Sequence, residues 1–72
     1  MDPGEVFEAI TEIVSVAHPS GRPWRTEDVG NALKVRYPGT SVARRAGFGR
    51  LSELVKACPG VEVTREREVR LR

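Results

Sequence analysis

Histidine and cysteine, the side chains that most often carry acid-base or nucleophilic chemistry near neutral pH, occur once each in this 72-residue chain, as His18 and Cys58. Such chemistry needs two or more convergent groups. His18 closes the first helical segment, where an imidazole can interact with free carbonyls. Cys58 continues an apolar series and reads as a small core residue. The acids are scattered over separate segments with no Asp/Glu/His grouping at metal-ligand spacing. No enzymatic activity, metal or cofactor is therefore expected. Gly47 and Gly49 flank Phe48, but no strand precedes them and no Lys-Ser/Thr pair follows, so a phosphate-cradling loop is not indicated. Gly47 is expected to supply a special backbone angle that lets Phe48 enter the core.

The basic residues carry more information. Asp2, Glu5, Glu8 and Glu12 occupy a leading segment without Lys or Arg, whereas the part after His18 holds twelve basic residues against six acidic ones, a surplus of six. Ten of the twelve are arginine. Arginine suits phosphate and base recognition because its planar fork donates bidentately and stacks on exposed bases. Genomic bias toward arginine codons would produce the same composition, so the placement of the charges matters more than their number.

The elements that must position them follow from capping and periodicity. Asp2 as cap, Pro3 at the first helical position and Glu5 in the first turn signal a helix, with Val6, Ile10, Ile13, Val14 and Ala17 as its buried stripe. Pro19 to Pro23 form a loop, and Trp24 is expected to close the edge of the core. Thr26 is expected to cap a second helix carrying Val29, Ala32, Leu33 and Tyr37, stopped by Pro38 and Gly39. Thr40 or Ser41 is expected to cap a brief turn through Val42 to Ala46. After Gly47, a third main helix is read with Phe48, Leu51, Leu54, Val55 and Cys58 on one side, ended by Pro59 and Gly60.

The period then changes to two, with Val61, Val63, Val69 and Leu71 on one face and Glu62, Thr64, Arg70 and Arg72 on the other. Pairing Val63 with Val69 sets Val61 opposite Leu71 and Glu62 opposite Arg70, so one register satisfies both faces. The hairpin tip is then Arg65, Glu66 and Arg67, without a glycine to specify the turn. Helix, helix, short helix, helix and hairpin is the order of a winged helix-turn-helix, an α+β fold whose hairpin is the wing. Residues 1–72 read as one such domain.

Cys58 is alone, so no internal disulfide can form, and no stretch approaches the length of a membrane span. A soluble, cytoplasmic protein is expected.

The run Val29, Leu33, Tyr37, Pro38, then Gly47 to Val55 (GFGRLSELV), then Pro59, Val61 and Val63 resembles the LOTUS domain, also called OST-HTH, over a span from about Trp24 to Val63. The resemblance implies a winged-helix module in an RNA setting, often in one chain with a nuclease-like NYN domain. Minimal members are associated with G-rich and G-quadruplex RNA. Extended members carry an additional C-terminal helix that engages a DEAD-box helicase; this sequence stops after the hairpin, so the helicase is not an expected partner. The Tyr37-Pro38-Gly39 pattern and the arginine richness are similar to bacterial members.

The expected function is a non-catalytic RNA-binding module, with Lys34, Arg36, Arg44, Arg45, Arg50, Arg65 and Arg67 as the binding set. In a winged helix these positions are expected close to one face, where a helix start and the wing straddle a phosphate backbone. Two alternatives come from other classes, a protein adaptor using the apolar edge around Trp24 and a duplex DNA binder using the third main helix. That helix offers only Arg50, Ser52, Glu53 and Lys56 to a groove, and Glu53 would repel the backbone.

Overall fold

A computed structural model describes residues 2–39 and 41–72. Asp2 Oδ1 accepts the Gly4 amide at 3.0 Å and Pro3 occupies the first turn, which starts helix α1 (Pro3–Ser15) where the sequence indicates. Val6, Ala9, Ile10 and Val14 form its buried stripe, and Ile13 is half-buried. Ala17 does not join them. The helix stops at Ser15, Val16 turns extended, and Ala17 is exposed. The Val16 carbonyl, freed from the helical ladder, accepts the Trp24 indole N–H at 2.6 Å.

That indole belongs to strand β1 (Trp24–Arg25), an element not anticipated from the sequence because two residues are too short to display alternation. The chain then enters helix α2 (Thr26–Arg36). Its N-cap is Arg25, which corrects the expectation of Thr26. The Thr26 amide is taken by the Arg67 carbonyl at 3.2 Å, and the Arg25 amide donates to Asp28 Oδ2 at 3.0 Å. Sheet pairing therefore fixes the extended residue one position earlier than side-chain preference would. Val29, Gly30 and Leu33 are buried along α2. A Cβ on Gly30 would lie 2.4 Å from Leu51 Cδ2, so the missing side chain is what lets α2 and the following helices approach.

Helix α3 (Val42–Arg45) is short, and Ser41 at its start makes no capping hydrogen bond; Thr40, the other expected cap, lies outside the described residues. Gly47 takes φ +92° and the Phe48 amide returns to the Ala43 carbonyl at 2.8 Å. Phe48 thereby packs beside Phe7, with ring centroids 6.2 Å apart. Helix α4 spans Leu51–Ala57. It begins later than expected: Phe48 belongs to the preceding turn, and Arg50 is the extended residue at the helix entrance. Leu54, Val55 and Cys58 are fully buried.

Strands β2 (Val61–Val63) and β3 (Glu68–Leu71) pair in the expected register, Val61 with Leu71, Glu62 with Arg70 and Val63 with Val69. β1 adds to the other edge of β3, Trp24 opposite Val69, giving the antiparallel order β1-β3-β2. Val61 and Val69 face the core. Leu71 does not: the last residue of β3, it is 45% exposed. At the wing tip the Arg67 amide donates to the Thr64 carbonyl at 3.0 Å and Arg67 itself takes φ +64°. This is a three-residue hairpin loop closed by a left-handed residue, with arginine where glycine is usual. The fold is α+β, helices packed on a small three-stranded sheet in winged-helix order.

Candidate nucleic-acid interface

The wing stands across from the entrance of α4, and the space between them is an open concavity of about 830 Å³. Arg50, Leu51, Ser52 and Lys56 line it from α4, and Val63 to Arg67 line it from the wing. Arg25, Thr26 and Glu27 close the third side. Each wall has a local cause. Arg50 is extended and exposed because it precedes the first helical residue of α4. Arg65 and Arg67 are exposed because the tight turn leaves no room to fold their side chains inward. Arg25 is held by two anchors, its pairing with Glu68 in the sheet and the hydrogen bond its backbone N–H donates to the Asp28 carboxylate.

Asp28 is itself gripped. Arg22 donates to both of its carboxylate oxygens at 2.7 Å, the fork geometry of a strong pair. The Arg22 guanidinium holds the Asp28 carboxyl below the usual carboxylate range, against the opposing effect of partial desolvation and with help from the Arg25 amide. The Arg22 guanidinium is shifted upward in turn by its bond to Asp28. His18, expected to satisfy helix carbonyls, braces this loop: its Nδ1 accepts the Ser20 amide at 3.0 Å and its Nε2 lies 3.8 Å from Asp28 Oδ1. The α1 helix ends three residues too early for the expected role.

Five cations border the concavity, Arg25, Arg50, Lys56, Arg65 and Arg67, against the carboxylates Glu27 and Glu66. Among the described residues none of the five is in an ion pair, whereas Arg22, Arg36 and Arg70 are paired with Asp28, Glu12 and Glu62. Leu51 and Val63 supply an apolar floor, both half-buried. Unpaired guanidinium groups around such a floor can donate bidentately to phosphate oxygens and lie flat against exposed bases.

The seven positions singled out in the sequence therefore divide. Arg50, Arg65 and Arg67 meet in the concavity. Lys34 borders a separate small notch between α2 and α3. Arg44 and Arg45 are exposed on α3 and line neither space. Arg36 turns to the α1 side, donating to Glu12 Oε2 at 2.9 Å and reaching the Ala9 carbonyl at 3.5 Å. The expected single face is thus not continuous through Arg36. Arg25 was missed, and Lys56, offered to a groove only in the duplex-DNA alternative, was left out of the RNA-binding set. Lys56 is three residues after Glu53, and helical spacing alone does not bring it to the wing. Arg25 has no sequence signal, since only the β1–β3 pairing brings it across to the wing.

Cys58 is fully buried, its Sγ 3.5 Å from the Phe7 carbonyl and 3.7 Å from Thr11 Oγ1. Among the described residues no three His, Cys, Asp or Glu side chains gather as a metal site would require, and no helix is long and apolar enough to cross a membrane. The family model described as OST-HTH/LOTUS domain matches residues 5–71. No curated protein and no solved structure matches the chain.

Proposed function

Because the chain belongs to the OST-HTH/LOTUS domain family, we propose that it is a non-catalytic RNA-binding module whose working surface is the groove between α4 and the wing. The observation that carries this reading is the convergence, on one concave surface built from three separate parts of the chain, of five cations that have no ion-pair partner among the described residues. Arg50, Arg65 and Arg67 contact phosphates or stack on bases, Arg25 and Lys56 extend the contact, and Arg44, Arg45 and Lys34 prolong the basic track over α3. Arg36 stays with Glu12 and contributes little.

The preferred ligand is a G-rich or G-quadruplex RNA, held near an attached NYN nuclease-type or other RNA-processing domain of a cytoplasmic protein. Duplex DNA is the weaker choice, since α4 has only seven residues and presents Glu53 beside its few donors. The adaptor reading is weakened by Trp24, whose indole is committed to Val16 and whose ring meets His18 edge-on at 4.8 Å.

Titration with G-rich single-stranded RNA, G-quadruplex RNA, duplex DNA and an RNA of neutral composition, each at two salt concentrations, tests the proposal. Salt-sensitive preference for the G-rich forms is expected. Equal or stronger binding to duplex DNA, or no RNA binding at low salt, overturns it.

A further inference from the structure

The notch beside Lys34 has a volume of about 130 Å³ and a mostly apolar lining, formed by Gly30 and Leu33 of α2, Val42 and Ala43 of α3, and Leu51. Lys34 and Ser41 stand at its rim, and the Ser41 hydroxyl makes no capping bond. Leu51 also lines the α4–wing groove, so the two spaces lie on either side of one shared side chain. We propose that this notch receives a single unstacked nucleobase of the RNA strand whose backbone runs through the groove, an inference that rests on the RNA-binding reading.

Size, polarity and position agree. At about 130 Å³ the notch is slightly smaller than the roughly 150 Å³ cavity that encloses a benzene ring, so it takes one six-membered ring of a base edge-first through its open mouth and excludes a stacked pair. Its walls are hydrocarbon, which favours the face of a base over a phosphate or a sugar. The ammonium of Lys34 and the hydroxyl of Ser41 can donate to ring nitrogens or carbonyl oxygens on the base edge. Gly30 makes the space possible, since any side chain there would strike Leu51 and drive it toward the opening. The ligand class is consequently single-stranded RNA with a base free to leave the stack, or the loop of a structured RNA; an uninterrupted duplex has no such base to offer.

The test places 2-aminopurine at each position in turn of a short single-stranded RNA and follows its emission on binding. The notch contains no aromatic ring among its described walls, so a base that leaves the stack and enters it escapes quenching and brightens. Ala43→Phe fills the notch. It should abolish the brightening and weaken binding by about tenfold, in the range expected for losing one bound base, while leaving the salt slope unchanged because no phosphate contact is removed. An abasic nucleotide at the bright position should weaken binding to the parent and not to the variant. RNA binding without brightening at any position, or brightening that survives in folded Ala43→Phe protein, overturns the notch alone. Absence of RNA binding by the parent protein overturns the groove reading with it.

Discussion

The backbone amide of Thr26 donates to the carbonyl of Arg67 at 3.2 Å, so the first residue of α2 is tied to the one non-glycine residue in the described chain with positive φ. This bond closes the third side of the groove: it holds Arg25 beside the wing while the left-handed turn at Arg67 aims Arg65 and Arg67 outward. The strain of the turn and the placement of the cations are thus linked.

Replacing Arg67 with glycine separates them. Removing a left-handed penalty of roughly 1–2 kcal/mol, less the extra unfolded-state entropy of glycine of up to about 1 kcal/mol, should raise stability by about 0.5–1 kcal/mol in urea unfolding. RNA affinity should fall in the same protein, and its logarithmic salt slope should shrink by about 0.7 for a single-stranded ligand. Unchanged or reduced stability would show that the Arg67 side chain supports the turn.

The groove cations should outweigh the others. Arg50, Arg65 and Arg67 replaced together by alanine should reduce the salt slope by about 2, three contacts at about 0.7 each, with little change in thermal midpoint. Arg36→Ala should leave RNA binding near the parent value, since its guanidinium is engaged by Glu12. A larger loss from Arg44→Ala with Arg45→Ala than from the groove triple would move the interface onto α3.

Asp28 is the expected source of an acid-sensitive contribution to stability. Its carboxyl titrates lower in the folded protein than in the unfolded chain because Arg22 and the Arg25 amide bind the charged form. The contribution is therefore fully present above the unfolded carboxylate range, near about 4, and is lost as pH falls through the lowered folded value. Asp28→Asn keeps one acceptor oxygen but removes the charge and one of the two bonds from Arg22, so it should lower the urea midpoint at neutral pH. The gap between parent and variant in urea midpoint should close in strong acid; a gap that persists there would assign the effect to packing.

Trp24 should reveal its two roles through two substitutions. Trp24→Phe removes the indole donor to Val16 and keeps a ring, with an expected cost of about 1 kcal/mol. Trp24→Ala also empties the space over Val69 and beside His18 and should cost a few kcal/mol, as large-aromatic deletions do. If both leave stability untouched in thermal unfolding, the ring is free for a partner and the adaptor reading gains.

Local chemistry wrote much of this architecture directly into the sequence. The Asp2-Pro3 start, the Pro38-Gly39 stop and the Val63–Val69 register depend on near neighbours or on a period of two, and all are present in the fold. The family is legible for the same reason, since the GFGRLSELV run joins a positive-φ glycine to the entrance of α4 within a few residues. What the sequence could not show depends on contacts between distant segments. β1 exists only because Trp24 and Arg25 find the free edge of β3, more than forty residues away, and α2 starts at Thr26 because Arg67 takes its amide. Charge placement follows the same division. Arg50, Arg65 and Arg67 could be found from their local positions at a helix entrance and a turn, whereas Arg36 is drawn to Glu12 and Arg25 to the wing by packing that no periodicity encodes. A side chain's type is local, but the surface it joins is decided by which remote backbone comes to lie beside it.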